Sequence, residues 1–242
     1  AVICLGTFMV KMKRQQNLEN LYVNSIFIDK IGLSFNQFIV VSKDEKITII
    51  ETGFRNDFAA LSENIASMGL NPENIDNVIV PHFEADEMGA LPEILNVSKQ
   101  KVKVYAHPIC TFGLNDIFNA RAKPVKDNEI ISVFEGCSLK FIYTKHVHQW
   151  DSLVVYWIEQ KILFSSDLFI QKGEFTGINN ENCITEIIAS IHKDNYLPSH
   201  NHLNHALDKI KENKIDIIFP MHGSGLSNHI DFYIDSLKEL TF

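Results

Sequence analysis

The residues best suited to chemistry lie in one short stretch, residues 81–89. Within it His82, Glu84 and Asp86 alternate with other residues, directly after the β-branched run 78–80. A loop that joins a strand to a helix can curl around an ion, so side chains at this spacing can converge on one point. Imidazole and carboxylate groups are ligands that iron, manganese and zinc accept. The stretch predicts a metal site, against the alternative of an ordinary acidic loop that contains a histidine.

Three more metal-competent residues lie at the ends of predicted strands. His148 lies between two strands, Asp167 follows a third strand, and His222 follows a fourth. Binding sites on α/β scaffolds collect at such strand ends. Together with the first stretch, these residues give three imidazoles and three carboxylates. That set is large enough for two metal ions that share one carboxylate.

The elements that must position these residues are predicted from apolar periodicity and turn residues. Strands are expected at residues 22–28, 37–41, 46–50, 75–80, 101–106, 139–144, 152–158, 161–165 and 216–219. Helices are expected at residues 57–68, 90–95, 109–119, 185–193, 203–213 and 226–240, with Asp57 as the cap of the first. Two strand-rich halves, each ended by helices, predict two sheets packed face to face with helices outside. We expect a single domain over residues 1–242.

The composition of the 242-residue chain is that of an ordinary globular protein, with 45% hydrophobic and 21% charged residues. The net charge of -8 argues against nucleic acid or an anionic membrane as the main partner. The four cysteines are far apart and fit a reducing compartment rather than a zinc knuckle or a disulfide framework. No apolar run is long enough to cross a bilayer, and the basic residues follow the apolar segment 1–10, opposite to a secretory signal. We expect a cytoplasmic protein, with residues 1–10 either a strand or an end foreign to the fold.

The ligand set as a whole resembles a known family. His-x-Glu-x-Asp, then His, Asp and His, in this order and spacing, resembles the metallo-β-lactamase fold and, more narrowly, the diiron domain of flavodiiron proteins. Further matches lie at residues 36–40, 49–53, 148–152, 164–167 and 220–223, so the resemblance covers nearly the whole chain from Tyr22. It implies an α+β fold, an αββα sandwich of two mixed sheets with helices outside. The site would lie in the cleft at one edge of the two sheets.

The resemblance also implies which residue binds which ion. It places His82, Glu84 and His148 on one iron and Asp86 and His222 on the second, with Asp167 as the bridge. A bridging carboxylate is chemically reasonable, because two cations a few ångströms apart repel unless an anion lies between them. The implied cofactor is a pair of iron ions linked by an oxo, hydroxo or peroxo bridge, and we expect no FMN because no flavin-binding domain is expected.

Glu87 departs from the family, most of whose members have at this position a histidine that ligates the second iron. Three interpretations stay open. Glu87 binds that iron through oxygen, or it points away and leaves a position for water or a diatomic ligand. In the third, it is a solvated glutamate in the first turn of a helix, where the helix dipole favours a negative charge.

The ligand types favour iron over zinc. Hydrolytic members of the superfamily usually carry His-x-His-x-Asp-His in this loop, whereas this chain has Glu84 and Glu87 in place of two histidines. The extra carboxylates add negative charge and hard oxygen donors, which stabilise a ferric state more than a zinc site requires. The apolar neighbours Phe83, Trp150 and Met221 suggest a pocket for a small uncharged gas, against the alternative that they are core residues.

Other histidines are predicted not to be ligands. His200, His202 and His205 mimic a metal motif, but His205 points nearly opposite the apolar face of its helix and His202 lies on the flank of that face. We therefore expect exposed histidines at the start of a helix. His107, His146, His192 and His229 have no partner at a usable spacing and are interpreted as structural or exposed.

The resemblance suggests a sensor. Flavodiiron enzymes add a flavodoxin-like domain of about 150 residues, and we expect none here because the chain has no glycine-rich phosphate-binding turn. Two ferrous ions supply two of the four electrons that reduce dioxygen to water. Similar stand-alone domains are associated with chemotaxis. We therefore expect dioxygen, with nitric oxide or peroxide as alternatives, to be sensed and reported to a chemotaxis adaptor or its histidine kinase.

Three alternatives come from other classes. The first is a dioxygen or nitric oxide reductase served by a separate flavoprotein or rubredoxin. The second is a dinuclear zinc hydrolase that uses a bridging hydroxide. The third, a metal-free interaction module, ranks last because all six principal ligand positions hold competent residues. A homodimer is a further expectation from the family.

Overall fold

The structure, a computed structural model, describes residues 9–14, 18 and 20–240. The strands are β1 (Met9–Arg14), β2 (Leu21–Ile28), β3 (Leu33–Val41), β4 (Ile47–Ile50), β5 (Ile75–Val80), β6 (Lys103–Ala106), β7 (Lys123–Pro124), β8 (Ile130–Phe134), β9 (Cys137–Tyr143), β10 (Leu153–Trp157), β11 (Ile162–Ser166), β12 (Ile178–Asn179), β13 (Ile217–Pro220) and β14 (Gly225–Ser227). The helices are α1 (Phe58–Ser67), α2 (Ala85–Met88), α3 (Leu91–Val97), α4 (Pro108–Phe118), α5 (Ile184–Asp194), α6 (His200–Lys211) and α7 (Ile230–Lys238).

The strands form two mixed sheets. The first has the order β1-β2-β3-β4-β5-β6-β7, antiparallel from β1 to β4 and parallel from β4 to β7. The second has the order β12-β14-β13-β11-β10-β9-β8, in which β12 with β14 and β13 with β11 are the parallel pairs. The sequence-based prediction of two mixed sheets with helices outside is confirmed.

Successive residues of a strand point to opposite faces of its sheet and pack into different cores. In β3, Phe38 points into the core between the two sheets, whereas its neighbour Ile39 points into the core beneath α1, α3 and α4. A third core lies between the second sheet and α5, α6 and α7. Because both faces of each sheet are covered, the strands are apolar on both faces rather than alternating. This gives the four-layer αββα order that the resemblance implied.

An aromatic cluster joins the two sheets close to the strands that carry the polar loops. Phe38 of the first sheet lies with its ring centroid 5.0 Å from that of Phe164 and 5.6 Å from that of Phe219. Burial of an aromatic side chain of this size contributes about 1.5–3 kcal/mol. The cluster therefore fixes β11 and β13 against β3, and with them the loops that follow.

Several predicted boundaries were wrong, and the structure shows the physical reason for two of them, both at the start of a helix. Helix α6 begins three residues earlier than predicted, because the Ser199 hydroxyl accepts a hydrogen bond from the His202 N–H and caps it. Helix α7 begins four residues later, because Gly225–Ser227 pairs with β13 and Asn228 and His229 take left-handed backbone angles. Asp57 precedes α1, but its side chain makes no capping hydrogen bond.

The structure also bears on the first ten residues, on a short helix after the first polar stretch, and on membrane-spanning helices. Residues 9 and 10 belong to β1, whereas the rest of the segment 1–10 lies outside the described residues. Helix α2, which follows the first polar stretch, was not predicted. No helix in the described part of the chain has the length and apolar character needed to cross a membrane.

Candidate metal centre

The polar loops meet at one edge of the sandwich. They follow β5, β11 and β13 and join β9 to β10. The Leu153 N–H donates to the Pro81 carbonyl over 3.1 Å, which ties the start of β10 to the loop after β5. The Phe83 N–H donates to the Asp151 carboxylate over 3.1 Å. These bonds cross from one sheet to the other, so the two sets of loops hold a fixed relative position.

Four of the predicted ligands form one compact group. His82, Glu84, His148 and Asp167 each offer one ligand atom, and these atoms lie within 4.8 Å of one another. The His82 Nε2 lies 3.5 Å from Glu84 Oε2 and 3.4 Å from Asp167 Oδ2. The His148 Nε2 lies 2.9 Å from the same Asp167 oxygen. This spacing suits donors that surround a single ion.

The other two predicted ligands lie on the opposite side of Asp167. The His222 Nε2 is 3.2 Å from Asp167 Oδ1 and 3.6 Å from Asp86 Oδ2. Asp167 therefore presents Oδ2 to the first group and Oδ1 to His222. A carboxylate in this orientation can bridge two cations.

Unsatisfied buried atoms show that the residues fit a cation. The His82 Nε2 and the Asp167 Oδ1 are buried and have no hydrogen-bond partner of suitable geometry. Buried polar atoms of this kind are costly unless something binds them. Imidazole nitrogen and carboxylate oxygen together are the donor set of non-haem iron, manganese or zinc. The residues present therefore fit a dinuclear metal centre.

The charges of the site are arranged around Asp167. Burial opposes its ionisation, but the hydrogen bond with His148 and the close imidazole of His222 hold its pKa well below the usual range. Burial likewise opposes the charge of His148, yet its contacts with Asp167 and Glu84 raise its pKa to about 10. Burial and the nearby Asp167 charge raise the pKa of Asp86. The imidazolium protons thus occupy the role that a metal ion would take, since metal binding displaces ligand protons.

Residues behind the ligands fix their orientation. The His222 Nδ1–H donates to the Ser34 carbonyl over 2.7 Å, which leaves Nε2 free to ligate. The Asn36 side-chain amide donates to the Gly223 carbonyl over 2.8 Å and holds the loop that carries His222. The Gln149 amide donates to Glu84 Oε1 over 2.5 Å. Asn36 and Gln149 lie in segments 36–40 and 148–152, which resemble flavodiiron proteins, but their spacing in the sequence did not indicate that they orient the ligands.

Glu87 is fully buried, so its interpretation as a solvated first-turn glutamate was wrong. The physical reason is that α2 packs beneath the segment after β4, where the Thr52 N–H donates to the Glu87 carbonyl over 2.8 Å. The Glu87 Oε1 accepts a hydrogen bond from the Ser166 hydroxyl over 2.8 Å. Its other oxygen has no hydrogen-bond partner.

Glu51 is a buried carboxyl that sequence reasoning did not single out. It follows the apolar strand β4, is fully buried, and neither of its oxygens has a hydrogen-bond partner. Burial and the charges of Asp167 and Asp86 raise its pKa well above 4.5. A charged residue directly after a four-residue strand that contains three isoleucines is the signal that could have found it.

The three apolar neighbours lie in different surroundings. Met221 is fully buried, Phe83 packs against the core beneath α1, α3 and α4, and Trp150 is 53% exposed. The core interpretation therefore describes Met221 and Phe83, whereas Trp150 borders the loop that carries His148.

The remaining histidines include two that have partners the sequence did not reveal. The His146 and His202 rings lie with their centroids 4.5 Å apart, a contact that no sequence spacing indicated. His107 caps α4 by accepting a hydrogen bond from the Ile109 N–H over 3.2 Å. His205 is exposed, as its place on the helix predicted.

Comparison with known proteins identifies a family and several relatives. The family model described as ODP family beta lactamase matches residues 33–223. Flavo-diiron protein FprA2 of Clostridium acetobutylicum is 33% identical over 139 residues, which are 56% of this chain and 34% of that protein. Rubredoxin-oxygen oxidoreductase of Megalodesulfovibrio gigas is 29% identical over 147 residues, 60% of this chain and 35% of that protein. The chain spans about a third of the length of these relatives.

A solved structure shows the same fold. A mutant of the flavo di-iron protein of Thermotoga maritima superposes with a TM-score of 0.81 at 21% identity, over 96% of this chain and 62% of that one. The family match covers β3 through the loop that carries His222, and so all six predicted ligands. The chain belongs to the ODP family beta lactamases and has the metallo-β-lactamase-like diiron domain of flavodiiron proteins.

Proposed function

We propose that this domain holds two iron ions, binds dioxygen at them, and acts as an oxygen or redox sensor. The observation that carries the proposal is the orientation of Asp167, which offers one carboxylate oxygen to each side of the site. His82, Glu84 and His148 are the proposed ligands of the first iron, and Asp86 and His222 those of the second. Iron bound in this way supplies affinity for a diatomic gas and one-electron redox chemistry.

The polypeptide contributes charge compensation and exclusion of water. Four side chains of the site, those of His82, Asp167, His222 and Asp86, are between 1% and 14% exposed. A small uncharged molecule enters such surroundings more readily than an anion does, because burial penalises charge. This favours dioxygen or nitric oxide over a charged hydrolytic substrate.

The sensor role rests on the electron count. Two ferrous ions can donate two electrons in total, whereas the reduction of one dioxygen to water requires four. The site alone is therefore suited to binding and to a single redox event. The proposed receivers of the signal are a chemotaxis adaptor or its histidine kinase in the cytoplasm, by resemblance to oxygen-binding diiron proteins associated with chemotaxis.

A reductase is the second candidate, and the name of one relative favours it. The Megalodesulfovibrio gigas protein is named as a rubredoxin-oxygen oxidoreductase. A reductase built on this domain needs an electron donor in addition to the residues described.

Dioxygen uptake distinguishes the two. Anaerobic iron-loaded protein is mixed with excess dioxygen, with and without NADH, a flavoprotein reductase and rubredoxin, and uptake is followed with an oxygen electrode. A sensor takes up at most about one dioxygen per dinuclear site and stops, with or without the donor system. Continuous uptake that depends on the donor system contradicts the sensor role and supports the reductase.

A further inference from the structure

We propose that Glu87 is a positioning residue for His82 rather than a ligand of the second iron, so the two metal positions have unequal numbers of protein ligands. This inference rests on the proposed dinuclear site. It addresses the one position at which the chain departs from most of its family.

The two nitrogens of His82 face different surroundings. Its Nε2 lies 3.4 Å from Asp167 Oδ2 and 3.5 Å from Glu84 Oε2, inside the first group of ligands. Its Nδ1 lies 3.2 Å from the Ser166 hydroxyl oxygen and 3.4 Å from Glu87 Oε1. The ring therefore stands between the metal position and Glu87.

Ser166 links the ring to the carboxylate. The Ser166 hydroxyl donates to Glu87 Oε1 over 2.8 Å, so its oxygen is free to accept from the His82 Nδ1–H. Acceptance there requires the proton on Nδ1, which leaves the Nε2 lone pair for the metal. A carboxylate behind a ligating histidine fixes the tautomer and the orientation of the ring, and raises its basicity as a ligand.

In the described part of the chain, no Glu87 oxygen lies within 4.0 Å of a His222 nitrogen. Donors around one ion lie close together, and the His222 Nε2 has Asp86 and Asp167 oxygens within 3.6 Å. The imidazole within 4.0 Å of a Glu87 oxygen is His82 instead. The first position would thus have four protein donors, and the second would have three, namely Asp86, His222 and one oxygen of Asp167.

The test compares the two steps of metal binding. The wild-type chain, Glu87→Ala and Glu87→Gln are titrated anaerobically with Co(II), and each step is followed by d–d absorbance. Parallel Zn(II) titrations with ¹⁵N-histidine spectra identify the steps, because His82 and His148 report the first position and His222 the second. Glu93→Ala is the control, since Glu93 pairs with Arg55 over 2.8 Å on a neighbouring helix and touches no ligand.

The proposal predicts that Glu87→Ala weakens the first step by about 10–100-fold, the usual effect of removing a residue behind a metal ligand. It also predicts a change in the His82 ¹⁵N shifts, while the second step and the His222 signals stay as in wild type. Glu87→Gln, which keeps an oxygen acceptor for Ser166, should recover most of the first-step affinity. Loss confined to the second step, or no change in either step, overturns the proposal and leaves the dinuclear site intact. Fewer than two Co(II) per wild-type chain overturns the dinuclear site and this inference together.

Discussion

The two sides of the metal centre differ in how they are built. The first has four donors, namely His82 and Glu84 after β5, His148 before β10, and Asp167 after β11. The second relies on Asp86 in α2 and His222 after β13, together with the shared Asp167. The first side is also the more accessible, since the Glu84 side chain is 32% exposed and that of His222 is 6% exposed.

We infer from this difference that the first side binds its metal ion more tightly, whereas the second side is better suited to binding a small ligand from solution. The side with more donors lies closer to solvent and should fill first. The side with fewer donors lies deeper, where a vacant coordination position would be shielded from water. A small neutral ligand is favoured at such a position, because burial penalises charged competitors.

The largest effect is expected from Asp167→Ala. Because Asp167 faces both sides, its removal leaves neither ion with a complete set of donors and leaves the two cations without an intervening anion. We expect metal analysis after anaerobic purification to give almost no iron, against about two irons per wild-type chain. Retention of both irons would refute the bridging role.

The next largest effect should distinguish the two sides. His222→Ala removes a ligand from the second side alone, so the second metal-binding step should weaken by on the order of 100-fold or more, beyond what is usual for residues behind a ligand. The first step should change little. His148→Ala should give the reverse pattern, and calorimetric titration with Co(II) measures both. Equal loss of both steps in either variant would show that the two positions are not separable.

A smaller effect concerns the stability of the metal-free protein. Burial and the charges of Asp167 and Asp86 raise the pKa of Glu51 well above its value of about 4.5 in the unfolded chain. A raised carboxyl pKa means that the folded state binds more protons in this range, so stability falls as pH rises above 4.5. Glu51→Gln should therefore raise the free energy of unfolding at pH 7 by about 1–3 kcal/mol.

That stabilisation should disappear at pH values below 4.5, where Glu51 is protonated in both states. Urea unfolding of the metal-free protein at pH 7 and pH 4 measures it. The same gain at both pH values would show that charge is not its cause.

The smallest effect is expected from His205→Ala. His205 is exposed at the start of α6 and is not part of the ligand group. Metal content and the free energy of unfolding should stay as in wild type. A loss of iron in this variant would place part of the site on α6 and would contradict the two-sided arrangement.

The fold and the ligand loops were predictable because they depend on local patterns. To predict that His82, Asp167 and His222 follow apolar strands required only the periodicity of the strands and the identity of the residues just after them. The burial of Glu87 was not predictable, since it depends on the four-residue helix α2 packing beneath the segment that contains Thr52. The His146–His202 contact joins residues 56 positions apart, and no spacing in the sequence indicates it.

The predicted ends of helices and strands were wrong where strand pairing prevailed over local helix propensity. Residues 226–229 have helical neighbours and were predicted as helix. The pairing of β14 with β13 prevents this, because a residue cannot belong to a ladder and to a helix at once. Glu51 was overlooked for a related reason, since its lack of partners is a property of the assembled core.

Anaerobic purification, metal analysis, and an absorbance spectrum before and after exposure to air test the dinuclear iron site most directly. We expect about two irons per wild-type chain and a new visible band that persists after dioxygen is added, with neither in Asp167→Ala. Two zinc ions per chain and a spectrum that air does not change would contradict a dioxygen-binding iron site, and would direct attention to hydrolysis instead.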